Sequence, residues 1–337
     1  MVKKYCIWNN KGGVGKTFLS YLIATEYAKL HSEEDIIVVD MCPQSNISEM
    51  LLGGDGKGQS NLEVLFNSGI TIARYIENRY KKGRDSLLGS ESSFFVNVRE
   101  YNKKLPSNLL LVPGDTNLDI CSILISEWGN SSLRSAWKKS RLILNELLQS
   151  FIQNSNQNRG KTVFIDCNPS FSSYTELAIS ASDRLIIPCT ADHASIRGLC
   201  NVFRLLYEFD SNGDDIVSFA EKAKDHNIVL PKLFRIILNK SRSHDRNASK
   251  AFLAIKDSIA KSMKMLRKQN PRWFVDESND IPNIKDGNTL AAVLNYEGAL
   301  LSDVKIGKHS VYGKPVQIDD RQKRALLKGI SEFVHTL

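Results

Sequence analysis

The stretch Asn10-Lys11-Gly12-Gly13-Val14-Gly15-Lys16-Thr17 decides how this chain is read. Lys4-Tyr5-Cys6-Ile7-Trp8-Asn9 before it is a short β-prone run. Phe18-Leu19-Ser20-Tyr21-Leu22-Ile23-Ala24 after it has apolar residues at helical spacing. Strand, glycine-rich turn and helix form the setting that a phosphate-binding loop requires. Glycines let the backbone curl so that successive N–H groups face an anion, and the helix N-terminus adds partial positive charge. Lys16 is then the cation for β- and γ-phosphates, and the Thr17 hydroxyl is the Mg²⁺ ligand.

Further strands follow in alternation with helical segments. Asp35-Ile36-Ile37-Val38-Val39-Asp40 is a continuous β-branched run, the mark of a strand buried on both faces. Asp40 ends it, where a carboxylate faces the crevice of a doubly wound sheet and is a candidate for Mg²⁺ or water. Asn108 to Asp115 is a second buried strand, and Ser132 to Phe151 an amphipathic helix. Thr162-Val163-Phe164-Ile165-Asp166 ends in a carboxylate suited to the Mg²⁺ side of a phosphate site. Arg184 to Pro188 and Phe234 to Lys240 complete the strand series, and Ile281-Pro282 ends a further strand segment. The alternation predicts an α/β fold, a doubly wound and mostly parallel twisted sheet with helices on both faces. A single domain over residues 1–337 is expected. Residues 53–106, polar and glycine-punctuated with short helices at Asn61–Phe66 and Thr71–Tyr80, form an elaboration inserted in its core.

The chain of 337 residues has ordinary apolar content and no run of eighteen apolar residues. The six cysteines show no Cys-x-x-Cys pair, which speaks against a cluster carrier and for reduced thiols in a cytosol.

Lys11-Gly12-Gly13-Val14-Gly15-Lys16-Thr17 resembles the deviant phosphate loop of the ParA/MinD family of ATPases. The resemblance covers all but residues 53–106 and is closer to the ParA partition type. It implies ATP and Mg²⁺ held by Lys11, Gly12, Gly13, Val14, Gly15, Lys16, Thr17 and Phe18. In that family the first lysine reaches across a homodimer to the partner's nucleotide, a role that falls on Lys11. Asp40, Pro43 and Gln44 match the family's second motif, Asp-x-Asp-Pro-Gln. Cys42 stands where its second Asp orients the attacking water, so slow hydrolysis is expected unless Asp40 takes over. Asp166 and Ser170 match the third motif, from which Asn168 departs. Asn239 is expected at the adenine edge and Pro282 against the base.

Between Lys232 and Arg272 twelve Lys/Arg face only Asp245 and Asp257, an excess larger than the whole chain's +8. Winding Ser249 to Lys268 as a helix gathers Phe252, Ile255, Ile259, Met263 and Leu266 on one side and Lys250, Lys261, Lys264 and Lys268 on the other. A lysine stripe binds phosphate backbones without reading sequence, and the resemblance implies non-specific DNA as its ligand.

The function expected is an ATP-dependent dimerising switch in plasmid or chromosome partition or cargo positioning. It would be cytoplasmic, nucleoid-associated and reset by a ParB-like or cargo adaptor protein. Two alternatives are a MinD-like membrane-surface ATPase and a nucleotide-gated binding module with little hydrolysis. The last helix, Asp319 to Leu337, reads as a core helix rather than a membrane-lying one.

Overall fold

The computed structural model describes residues 2–82, 87–133, 135–208, 218–241 and 246–337. In chain order the first half comprises β1 (Val2–Ile7), α1 (Lys16–Leu30), β2 (Glu34–Met41), α2 (Asn46–Leu51), α3 (Gly58–Asn67), α4 (Ile72–Lys81), β3 (Val96–Asn97), α5 (Val98–Tyr101), β4 (Leu109–Val112), α6 (Leu118–Gly129) and α7 (Ala136–Asn154). The second half comprises β5 (Gly160–Cys167), α8 (Ser173–Ser180), β6 (Arg184–Cys189), α9 (His193–Tyr207), α10 (Phe219–Asp225), β7 (Lys232–Ser241), α11 (Arg246–Gln269), β8 (Asn283–Lys285), α12 (Asn288–Glu297), β9 (Gly307–Val311), β10 (Lys314–Ile318) and α13 (Asp320–Val334).

Among the described residues the central sheet runs β3-β4-β2-β5-β1-β6-β7-β8. Every pairing is parallel except β3 with β4. The chain moves outward from β1 to β2 and β4, returns to β5, then crosses β1 to β6, β7 and β8. That reversal opens a crevice beyond the carboxyl end of β1, where the glycine-rich loop lies. The period of two builds a core on each face. Tyr5, Ile7, Ile36, Val38 and Phe164 pack on the α1, α12 and α13 side. Cys6, Trp8, Ile37, Val39, Val163 and Ile165 pack on the α6, α7 and α8 side.

Residues 53–106 are stitched to this frame. Thr71 caps α4 by accepting from the Arg74 N–H, and its hydroxyl donates to Asp115 at 2.5 Å. The Asn102 amide donates to the carbonyls of Leu51 and Gly298. The polar stretch from Gly83, in which no period could be read, supplies the antiparallel edge strand β3 and the short α5. Its residues 83–86 lie outside the described residues.

Two boundaries differ from expectation. The helix expected from Ser132 begins at Ala136. Ile281-Pro282 precedes β8 rather than ending a strand. The Pro282 carbonyl accepts from the Leu238 N–H at 2.9 Å, so this segment joins the sheet by its acceptor, the one backbone group proline retains. Helix α13 buries Leu326, Ile330, Phe333 and Val334, so its apolar face is already used inside the protein. Among the described residues no helix is long and apolar enough to cross a membrane.

Candidate functional site

The loop between β1 and α1 owes its shape to two left-handed glycines, Gly13 at φ 74° and Gly15 at φ 81°. At Gly15 a Cβ would stand 2.6 Å from the Asn239 amide nitrogen, so conformation and space both demand glycine. Lys16 is buried, and its Nζ donates to the Lys11 carbonyl at 2.9 Å. Burial draws its pKa below the usual lysine value, against the opposing pull of Asp166. The ammonium thus rests within the loop on a neutral acceptor, free to move to a stronger anion.

Beneath the loop lies Asp166 at the end of β5. It is fully buried. Its two carboxylate oxygens accept from the Thr17 hydroxyl at 2.8 Å and the Ser20 hydroxyl at 2.7 Å. Burial pushes its pKa up to about 6 although both hydroxyls favour the ionised form. The β1–β5 pairing sets this meeting, because Ile7 lies opposite Asp166 in register. An oxygen-only cluster of hydroxyl and carboxylate suits a hard cation such as Mg²⁺, so the donor set fits the ion that the loop motif implies.

Asp40, the candidate for metal or water, is hydrogen-bonded within its own turn in this structure. It pairs in register with Asp166 across β2 and β5, and its carboxylate oxygens accept from the turn that follows β2. One oxygen accepts from the Cys42 N–H at 3.1 Å. The other accepts from the Ser48 N–H at 3.1 Å and the Ser48 hydroxyl at 2.7 Å. The physical reason is local: the tight turn after β2 presents N–H groups that a carboxylate satisfies best. Burial first, then the Asp166 charge, push its pKa up to about 7. In this arrangement Asp40 braces the turn that carries Cys42. The Cys42 thiol is pushed up to about 12 by burial and by Asp40, so it is neutral at pH 7.

Lys11 is engaged within its own chain. Its Nζ lies 2.7 Å from the Asp192 carboxylate and also donates to Thr190 Oγ1 at 3.0 Å and Ser195 Oγ at 3.3 Å. Asp192 is the N-cap of α9, accepting from the Ser195 N–H at 2.8 Å. Its burial works against ionisation, but the donors Lys11, Thr190 and Ser195 outweigh it and hold the carboxyl well below the usual range. The stretch Ile187 to Leu199 resembles a ParA segment of similar pattern, but no role is expected there for Thr190, Asp192 or Ser195, since nothing local ties them to Lys11.

On the side of the loop facing β7, the Asn239 amide donates to the Val14 carbonyl at 2.9 Å. The same amide nitrogen lies 3.5 Å from the Gly15 carbonyl, so its donors are directed at the loop. Pro282 lies beside this strand through Leu238. Phe18 is half-buried, and its ring abuts Gly287 at the start of α12. Lys240, absent from the expected set, donates from Nζ to the Gly13 carbonyl at 2.9 Å.

Apart from this cluster stands α11. Ile259, Met263 and Leu266 are buried, Phe252 and Ile255 half-buried. Lys250, Lys261, Lys264 and Lys268 are all exposed. Arg242 and Asp245 of the basic segment lie outside the described residues.

A family model described as an AAA domain matches residues 2–217. A ParA family protein of Mycoplasma genitalium is 24% identical over 253 residues, covering 69% of this chain and 82% of that protein. Among solved structures, an ATP complex of Cyanothece McdA aligns with TM-score 0.59 and 15% identity over 99% of this chain and 96% of its own. A plasmid partition protein from Borrelia burgdorferi aligns with TM-score 0.53 and 17% identity over 99% of both chains. The glycine loop, the hydroxyl-bound carboxylate below it, the reversal of strand order at β1 and these likenesses lead to one conclusion: the chain belongs to the AAA domain family, as a P-loop ATPase of the ParA/MinD type.

Proposed function

We propose that this protein is an ATP-driven switch of the ParA type, a slow ATP hydrolase that acts in partition or cargo positioning. The observation that carries the proposal is the contact of Thr17 and Ser20 with Asp166 directly beneath the glycine loop. Backbone N–H groups of Gly12, Gly13, Val14 and Gly15, the α1 N-terminus and Lys16 receive the phosphates of ATP. Thr17, with Asp166 behind it, holds Mg²⁺, which when bound neutralises phosphate charge. Lys16 leaves the Lys11 carbonyl for the β- and γ-phosphates, a stronger acceptor. Phe18, Asn239 and Pro282 flank the adenosine.

Lys11 leaves Asp192 and reaches the nucleotide of a second copy, so that dimerisation follows ATP binding. Lys250, Lys261, Lys264 and Lys268 take non-specific DNA, which makes the protein nucleoid-associated in the cytoplasm. A ParB-like or cargo adaptor protein then stimulates hydrolysis. The McdA neighbour holding ATP supports the nucleotide, and the ParA family relative supports the process. The neutral thiol of Cys42 favours low turnover in the absence of that partner.

Titration calorimetry of Mg²⁺·ATP into wild type and Lys16→Ala tests the core of this reading. Loss of the buried cation should weaken ATP by about a hundredfold, in line with a charged hydrogen bond in a desolvated site. Equal affinities would remove the phosphate-loop assignment.

A further inference from the structure

We infer that the slot between α9 and α11 is a binding site for a single-chain anionic amphiphile, a fatty carboxylate whose chain lies in the slot and whose head meets arginine and lysine at the rim. This goes beyond the nucleotide reading above and does not rest on it.

Helices α9 and α11 pack side by side, but their apolar faces do not close on each other. Ile196, Leu199 and Phe203 on one and Ile259, Met263 and Leu266 on the other line a hollow of about 310 Å³ that opens to solvent. Protein interiors are normally close-packed, and an apolar hollow left unfilled lowers stability. Its volume and lining are those of a small-molecule site. Ser262 is among the lining residues, where a larger side chain would close the gap. Met263 and Met265 line it too, and methionine adapts its shape to an apolar chain. The α9 wall is fixed from behind. The Asn201 amide donates to Asn10 Oδ1 at 2.7 Å, and a Cβ on Gly198 would stand 3.3 Å from Asn9 Oδ1. The slot is therefore formed before a ligand arrives.

The rim is cationic on both sides. Cys200 lines the mouth on α9, with Arg197 three residues before it and Arg204 four after, so all three share one edge of the helix. Met265 lines the mouth on α11, with Lys261 four residues before it and Lys268 three after. All four cations are exposed. The nearest acidic residues on these two helices, Asp257 and Glu208, stand a further turn out. An apolar floor with a cationic rim complements an apolar tail with an anionic head. The long stems of arginine and lysine also extend the apolar wall up to their charges. The slot is recessed between two helices, so a free chain enters it, whereas an acyl chain of a bilayer would have to leave its leaflet.

Cys200 supplies the readout, because it is exposed while the other five cysteines are buried. Dodecanoate, kept below its micellar concentration, should slow alkylation of Cys200 by iodoacetamide by about tenfold or more at saturation. Dodecyltrimethylammonium, with the same chain and the opposite charge, should change the rate by less than about twofold. Ser262→Trp fills the hollow and should abolish the protection. Arg197→Gln combined with Lys261→Gln leaves the hollow intact and should weaken dodecanoate by about tenfold, in line with a lost charged contact. That surface variant covers the case in which the tryptophan variant does not fold. Absence of protection in wild type, equal protection by the ammonium amphiphile, or protection retained in Ser262→Trp would each overturn the site. Sedimentation with phosphatidylglycerol vesicles that is lost in Ser262→Trp would make this face a membrane contact and overturn the free ligand.

Discussion

The ammonium of Lys11 and the carboxylate of Asp192, 181 residues apart in sequence, lie 2.7 Å from each other beside the phosphate loop. A lysine proposed to act on a second copy is thus held at home by the residue that caps α9. Extending it across a dimer requires breaking this pair, and the pair opposes dimerisation by its net strength. Asp192 is nearly half exposed, so solvent screening keeps that strength to about 0.5–1 kcal/mol.

Asp192→Asn should keep the helix cap, because Asn caps as well as Asp, and release Lys11. Because both protomers break this pair, the expected result is an ATP-dependent dimer that forms at roughly five- to thirtyfold lower protein concentration. Light scattering across a concentration series measures it. A dimer no tighter than wild type would show that Asp192 restrains nothing.

Asp40 makes apo stability depend on pH. Its folded-state pKa of about 7 lies above the ordinary 3.8, so the folded state binds the proton more tightly than the unfolded chain. The stabilisation is complete below about pH 4 and is lost as pH rises through about 7. In EDTA the melting temperature should fall between pH 5 and 8, the Asp40 share being on the order of 2–4 kcal/mol. Asp166, raised to about 6, adds to the same trend. Asp40→Asn should flatten the curve; an unchanged slope in that variant would assign the trend to other groups.

On the function proposed above, Cys42 would limit turnover because a neutral thiol accepts weakly from water. Single-turnover hydrolysis by Cys42→Asp should exceed wild type by about tenfold or more. If wild type is already fast and Cys42→Asp matches it, the attacking water is oriented elsewhere.

On the function proposed above, the stripe of α11 would bind DNA and set the salt dependence of that binding. Replacing Lys250, Lys261, Lys264 and Lys268 by Glu should abolish retardation of random-sequence DNA. Single replacements should each lower the slope of log affinity against log salt by about 0.9. ATP affinity should not change, since α11 stands apart from the loop. DNA retained by the fourfold variant would make the stripe a merely solvated face.

The elements legible in sequence are those whose chemistry is local. The loop from Asn10 to Thr17 declares itself because glycine, lysine and threonine must follow one another within a single turn. Ile36 to Val39 and Val163 to Ile165 declare buried strands because a parallel strand is apolar on both faces. The order of those strands with helices between them already implies the doubly wound sheet. Asp166 followed from its place at a strand end, and Ile259, Met263 and Leu266 from the helical period.

What the tertiary structure alone decided is where side chains from distant segments meet. No spacing links Lys11 to Asp192, or Lys240 to Gly13, because sheet order rather than chain distance makes them neighbours. Asp40 looked equivalent to Asp166 in sequence, each a carboxylate at the end of a buried strand. Ser20 and Thr17 of α1 donate to one, and Ser48 with the Cys42 N–H donates to the other. β3 also escaped notice, since two residues carry no period and its pairing comes from β4. Composition and periodicity determine which elements form, and hydrogen bonds between elements, available only once the sheet is assembled, determine which way the functional groups point.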